Sequence, residues 1–170
     1  VTAPSANTFG RISPTCARHV FEDLGVKPEG KLDMILDGGE CAVGVESTIV
    51  DLTSPKPTIL RFGAVTAAML EEVLGFAVAE AGSNAPRVSG RLKSHYAPQT
   101  KLVIVPAEEI AAGIESIDPS RTAYLLCGAG PLSDTLSASA LRCITAPADP
   151  AGYAHVLYAA LHELLSLIHI

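Results

Sequence analysis

Asp37-Gly38-Gly39-Glu40-Cys41-Ala42-Val43-Gly44-Val45-Glu46-Ser47-Thr48-Ile49-Val50-Asp51 is the stretch on which the reading of this chain turns. An apolar run, Leu32 to Leu36, leads into its acid and two glycines. A third glycine then precedes a β-branched run, Ser47-Thr48-Ile49-Val50, with Glu46 and Asp51 on either side. Glycines at this density let a backbone turn tightly and let another group approach its N–H groups. The stretch alone supports two readings. One is a loop and hydroxyl-edged strand that hold a small polar molecule; the other is an ordinary hairpin with a glycine-rich turn. The two acids are equally open: they orient donors or they cap the strand.

Composition narrows the field. A chain of 170 residues and 17.6 kDa admits one large domain or two small ones. With 48% apolar and 18% charged residues it has the means to bury a core, which excludes a disordered chain. No run of about 18 apolar residues occurs, so no membrane partner is expected. Cys16, Cys41, Cys127 and Cys143 lie far apart without C-x-x-C pairing. They read as small buried apolar residues in a reducing compartment, with cytoplasm as the expected location and neither zinc nor disulfides expected. A net charge of −6 argues against strong direct nucleic-acid binding through phosphate neutralisation. Between Glu80 and Lys101, however, Arg87, Arg91, Lys93 and Lys101 face a single acid. A short basic segment in an acidic protein suits a small anion.

The element pattern is mixed α/β. Ser13-Pro14 reads as N-cap and first helical residue of a helix over Ala17, Val20, Phe21 and Leu24 that Gly25 closes. Its free N–H groups would form an anion cradle beside Ser5, Asn7 and Ser13. Strands are expected at Leu32–Leu36 (buried), Ser47–Leu52 and Thr58–Arg61. A helix is expected from Thr66 to Leu74, with Met69, Leu70, Val73 and Leu74 inward and Gly75 as its stop. Glu80 to Gln99 lacks periodicity and reads as a decorated linker. The pattern then restarts: a strand at Leu102–Val105, a helix at Ala107–Ile114, strands at Thr122–Cys127 and Leu141–Thr145, and a helix from Ala151 to Ile168. That β-α-β-β-α series is Rossmann-like in outline.

Several apparent motifs carry little. Gly128-Ala129-Gly130-Pro131 lacks a third glycine and reads as a plain turn with no helix directly after it. His155, His162 and His169 recur every seven residues, two helical turns or about 10.5 Å apart, too far to share one metal. They read as a solvated or partly buried stripe, and His19 as structural. No G-x-S-x-G elbow supports a hydrolase. Arg61 stands apart. It ends a short strand before Gly63, which leaves its guanidinium at the strand tip, where Ser5, Asn7, Ser13 and Ser47 would complete a phosphate or carboxylate clamp.

Four blocks in order then resemble one family: Ala3-Pro4-Ser5-Ala6-Asn7; Ser13-Pro14-Thr15; Gly44 to Asp51 with Ile59-Leu60-Arg61; and Ser94-His95-Tyr96-Ala97-Pro98. Together they resemble the YrdC-like threonylcarbamoyl-AMP synthases in their longer, two-domain form. The motifs cover roughly residues 2 to 100, and the remainder is similar in layout only. The resemblance implies a C-terminal fragment. Residues 1–79 would be the second half of a YrdC-like twisted-sheet α/β domain, 80–100 a lid-like linker, and 101–170 an incomplete Rossmann-like α/β domain. It implies a nucleotidyltransferase that joins L-threonine, bicarbonate and ATP into L-threonylcarbamoyl-AMP and pyrophosphate, with Mg2+ accompanying ATP. The product would pass to the tRNA threonylcarbamoyl transferase machinery. By the family pattern Ser5, Asn7, Ser13, Arg61, His95 and Tyr96 would contact ATP. The backbone near Ala3 and the Ser47 side chain would contact threonine, with Gly38, Gly39 and Gly44 letting the backbone sit close to that ligand.

Two departures accompany the resemblance. Arg61-Phe62-Gly63 stands where the family reads Arg-Pro-Gly, and Val88-Ser89-Gly90-Arg91 where many members read Ser-Pro-Gly-Met. The ending Leu164 to Ile170 also lacks the expected acidic, glycine-containing continuation. Without the N-terminal half, the fragment alone is expected to be inactive. The rival readings are a non-catalytic YrdC-like RNA-binding module and a regulatory nucleotide-binding domain.

Overall fold

A computed structural model describes residues 3–82, 85–86, 88–90, 96–98, 100–106, 108–110 and 118–168. Its first sheet contains β1 (Ile49–Asp51), β2 (Thr58–Arg61) and β3 (Ala79–Glu80), in the order β1-β2-β3. β1 and β2 are antiparallel, pairing Asp51 with Thr58 and Val50 with Ile59, and the register slips between Ile49 and Val50. The turn between them is set locally. The Asp51 carboxylate accepts from the Thr53 N–H (2.8 Å), the Thr53 hydroxyl (2.7 Å) and the Ser54 hydroxyl (3.2 Å). Those bonds hold the Asp51 carboxyl below its ordinary range. Of the two acids on either side of Ser47–Val50, Asp51 caps the turn.

β2 and β3 are parallel, Thr58 opposite Ala79, and the crossover between them is α2 (Ala67–Leu74). Thr66 starts α2 by accepting from the Met69 N–H, and Gly75 ends it in the left-handed region at φ 76°. Ile59 and Leu60 form the centre of this half, at 1% and 7% exposure. The inward face expected of α2 is not realised: Met69 is 55% and Val73 87% exposed. α1 (Ala17–Leu24) ends on Gly25 as expected, but Cys16, not Ser13, is its N-cap. Ser13-Pro14 therefore precedes the helix by a full turn, and the expected cradle does not lie at Ser13.

The second sheet pairs β4 (Ala123–Cys127) with β5 (Arg142–Ala146) in parallel, Ala123 opposite Arg142 through Cys127 opposite Ala146. α3 (Pro131–Ser139) connects them and packs on β5, and α4 (Pro150–Ile168) packs on both strands. Tyr124, Leu136, Ala146, Ala160, Leu161 and Leu164 form the buried layer. α3 corrects the reading of Gly128 to Pro131, because a helix does follow directly. Pro131 sits at its first position, where a missing N–H costs nothing, and the Ser133 hydroxyl donates to the Gly130 carbonyl at 2.6 Å. α4 begins one residue before the expected Ala151, with the Asp149 carboxylate accepting from the Gly152 N–H at 2.7 Å.

Two expected strands fail for the same reason. Leu32–Leu36 is bridged only at Leu32, to Val26, while Met34 and Leu36 are 68% and 86% exposed. Leu102–Val105 has no ladder partner among the described residues, and Ile104 is 92% exposed. An apolar run becomes a strand only where a neighbour supplies hydrogen bonds. Within the helix expected at Ala107–Ile114, residues 108–110 are helical and the others lie outside the described residues. The four cysteines are free, and none is buried: Cys41 and Cys127 are exposed, Cys16 and Cys143 partly so. No helix among the described residues is long and apolar enough to cross a membrane.

Candidate functional site

A cavity of about 550 Å³ opens where β2 ends, and Glu46, Arg61, Gly90, Tyr96 and Tyr158 are on its wall. Arg61 is its focus. As the last residue of β2 it projects a side chain only 11% exposed, and its donors are distributed over three segments. Nε donates to the Ser47 carbonyl and Nη2 to the Ser47 hydroxyl, both at 3.0 Å. Nη1 donates to the Ser89 carbonyl (3.2 Å), the Ser89 hydroxyl (3.3 Å) and the Tyr96 hydroxyl (3.1 Å). Glu46 Oε2 is 3.7 Å from Nη2. A guanidinium can donate five N–H bonds in a fixed plane, so Arg61 ties the loop of the opening stretch to residues 89 and 96.

Ser13 is the second partner of Glu46. It is 5% exposed, and its hydroxyl donates to Glu46 Oε1. Ser13 and Arg61, both anticipated from the sequence, thus meet at the Glu46 carboxylate, and the anticipated Ser47 and Tyr96 join through Arg61; Ser13 and Ser47 are not on the cavity wall. The remaining candidates stand differently. The Asn7 amide donates to the carbonyls of Thr8, Arg11 and Ile12, bracing the loop that leads to Ser13. Ala3 and Ser5 are exposed and do not line the cavity. His95 lies outside the described residues.

Tyr96 occupies the left-handed region at φ 54°, a strained backbone for a bulky residue that the Arg61 bond and local packing must hold. Gly90 also lies there, at φ 93°. A Cβ on it would come within 2.7 Å of both Arg61 Cδ and the Tyr96 hydroxyl, so only glycine lets this segment cross the guanidinium. Burial, and then the negative charge of Glu46, push the Tyr96 phenol above its ordinary range. Burial also pushes Tyr158 up to about 12, reinforced by Tyr96 and Glu46. Both phenols therefore stay protonated and able to donate at neutral pH.

Tyr158 was not anticipated as a site residue. It comes from α4, and its ring lies 5.9 Å from that of Tyr96 at a 35° tilt. In the sequence its only signal is a polar-tipped aromatic within an apolar helix. α4 makes two more junctions with the N-terminal half. His155 Nδ1–H donates to the Ala42 carbonyl (2.9 Å) and His162 Nε2–H to the Ser13 carbonyl (3.1 Å). The His162 ring stacks on that of His19, centroids 3.9 Å apart. His19, 3% exposed, accepts at Nδ1 from the Thr15 N–H at 3.2 Å; burial, then the neighbouring His162, lower its pKa to about 4. The histidine stripe is therefore a docking seam, except His169, which lies outside the described residues. Gly44 belongs to that seam as well. It is buried at φ 80°, and a Cβ there would lie 2.0 Å from the His155 carbonyl oxygen. Its close approach is to α4, while Gly38 and Gly39 face open space.

Comparison with known proteins adds the following. Residues 65–169 match the family model described as "Threonylcarbamoyl-AMP synthase, C-terminal domain". Residues 1–63 match the Sua5/YciO/YrdC model described as "Telomere recombination". The threonylcarbamoyl-AMP synthase of Pyrococcus abyssi is 38% identical over 124 residues, 69% of this chain and 35% of the relative. That of Bacillus subtilis is 38% identical over 108 residues, 61% of this chain and 30% of the relative. The crystal structure of P. abyssi Sua5 complexed with L-threonine superposes with a TM-score of 0.75 at 28% identity, over 96% of this chain and 48% of that one. A P. abyssi Sua5 form with a neighbouring histidine and tyrosine changed to alanine superposes at 0.64 with 28% identity, over 96% of this chain and 47% of that one. The chain spans about a third of the length of the curated relatives and half of the solved structures. With one family model covering well over half of its residues and a second covering most of the rest, the chain belongs to the threonylcarbamoyl-AMP synthase family.

Proposed function

We propose that this chain is part of an enzyme that converts L-threonine, bicarbonate and ATP to L-threonylcarbamoyl-AMP and pyrophosphate, for threonylcarbamoyladenosine formation in tRNA. The observation that carries the reading is the Arg61 guanidinium held between Ser47, Glu46 and Tyr96 on the wall of a 550 Å³ cavity. The likeness to a protein crystallised with L-threonine supports it.

In the reaction, the threonine amine takes up bicarbonate, releasing water and leaving a carbamate. A carbamate oxygen attacks the α-phosphorus of ATP, and the bond to the β-phosphate oxygen breaks to release pyrophosphate. The protein's task is positioning and charge stabilisation. Arg61 would exchange its Nη bonds for phosphate oxygens, with Ser5, Ser13, His95 and Tyr96 as further ATP contacts and Asn7 keeping the approach to Ser13 in shape. Ser47 and the Ala3 backbone would receive threonine. The adjacent histidine and tyrosine changed in the P. abyssi variant are the residue types of His95-Tyr96, which fits a covering role for residues 80–100. No group of three or more metal-ligating side chains occurs among the described residues, so Mg2+ would be carried by the nucleotide's phosphates and water. We further read residues 1–79 as the second half of the YrdC-like domain and 101–170, around β4-α3-β5-α4, as Rossmann-like. The setting would be the cytoplasm, with a tRNA threonylcarbamoyl transferase as recipient.

The test is pyrophosphate–ATP isotope exchange by the full-length gene product. Exchange that requires both threonine and bicarbonate is the expected result. Nucleotide binding without any such exchange would instead support the regulatory-domain reading.

A further inference from the structure

Ser13 and Arg61 lie far apart in sequence, and one carboxylate joins them: Glu46 accepts from the Ser13 hydroxyl through Oε1 and pairs with Arg61 Nη2 through Oε2 at 3.7 Å. Its side chain is 20% exposed and lines the cavity. A carboxylate on the wall of a site for a polyanion is costly, since it repels phosphate in a region of reduced dielectric. Its contacts nevertheless join two donors: the Arg61 plane is held by Ser47, Ser89 and Tyr96, and Glu46 sets the Ser13 hydroxyl against it. A serine hydroxyl rotates freely unless an acceptor holds it, and a guanidinium on a strand end swings unless its plane is pinned. Asp51 is committed to its own turn, so of the two acids beside Ser47–Val50 it is Glu46 that links the loop, β2 and the segment before α1.

We propose that Glu46 is a positioning residue of the nucleotide site: it holds the Ser13 hydroxyl and the Arg61 guanidinium in place, and the Ser13 proton turns from Glu46 to an α-phosphate oxygen when nucleotide enters. This rests on the functional reading above. Glu46 touches neither reacting atom; it acts through its two partners. Two other roles make different demands. A metal ligand would tie Glu46 to Mg2+, and a purely repulsive carboxylate would weaken nucleotide binding.

The experiment uses the full-length protein with Glu46→Gln and Glu46→Ala. AMP and ATP binding are measured by calorimetry, and exchange is measured across ATP and Mg2+ concentrations. Glu46→Gln keeps an acceptor for Ser13 and is nearly isosteric, so it serves as the variant that folds. The expected result is a graded loss. Glu46→Ala weakens AMP and ATP binding and raises KM for ATP by roughly ten- to a hundredfold, and Glu46→Gln restores part of it. KM for threonine and the Mg2+ requirement at fixed ATP stay unchanged. Unchanged nucleotide binding in Glu46→Ala overturns the proposal, and tighter binding in both variants overturns it in favour of repulsion. A raised Mg2+ requirement overturns it in favour of metal ligation. An equal loss for ATP and threonine, tracking a lowered Tm, overturns it in favour of a structural role. Because AMP binding is read directly, this result is separate from whether the wild-type protein performs threonine-dependent exchange.

Discussion

At the residue scale, the sharpest consequence is a pH dependence seated at His19. Its Nδ1 accepts from the Thr15 N–H and its ring stacks on His162, an arrangement that requires the neutral form. The unfolded chain protonates this histidine near the ordinary imidazole value of 6.5 and the folded chain only near 4. Between those values the unfolded state holds more protons. The neutral-His19 contribution is therefore fully present above pH 6.5 and lost as pH falls toward 4. By pH 5 the loss is on the order of 2 kcal/mol. Urea midpoints at pH 7 and pH 5 check it: wild type drops, while His19→Gln, which cannot titrate, drops less. Parallel curves would refute this role. Such residue roles were unevenly legible. Arg61 was readable because a strand end followed by glycine fixes where a side chain points. Glu46 and Asp51 were not separable by sequence. Asp51 finds its partners within three residues, whereas Glu46 finds them 33 and 15 positions away.

At the element scale, the same division between local and distant causes explains what the sequence disclosed. α2 was legible because Thr66 and Gly75 encode both its ends. β2 was legible because a β-branched run followed a Pro-flanked turn. Leu32–Leu36 and Leu102–Val105 were misread because strand formation depends on a partner that no local pattern names. The glycines of the opening stretch were assigned to a ligand, but Gly44 serves the approach of α4. This makes a paired prediction. Gly39→Ala, at φ 86° with open space around it, costs about 1 kcal/mol of backbone strain. Gly44→Ala adds a collision with the His155 carbonyl and costs at least about twice as much, read as the shift in denaturant midpoint. Equal costs would mean that α4 does not depend on this contact.

At the scale of the whole molecule, the N-terminal residues and α4 build one site. His155 and His162 fasten α4 to Ala42 and Ser13, and Tyr158 lends its ring to the cavity beside Tyr96. A change in the C-terminal helix is thereby felt at Ser13 and Tyr96, both candidate nucleotide contacts. No sequence pattern announced this, because His155 and His162 lie more than a hundred positions from their partners and Tyr158 lies 62 from Tyr96. On the proposed function, Arg61, held by Ser47, Glu46 and Tyr96, is the group that receives the nucleotide. The most direct measurement is threonine-dependent pyrophosphate–ATP exchange by the full-length protein carrying Arg61→Ala, alongside Arg61→Lys and circular dichroism to verify folding. The account predicts exchange reduced at least a hundredfold in a folded Arg61→Ala protein, with only slight recovery in Arg61→Lys, because an ammonium lacks the planar fork. Wild-type exchange in a folded Arg61→Ala protein would contradict it.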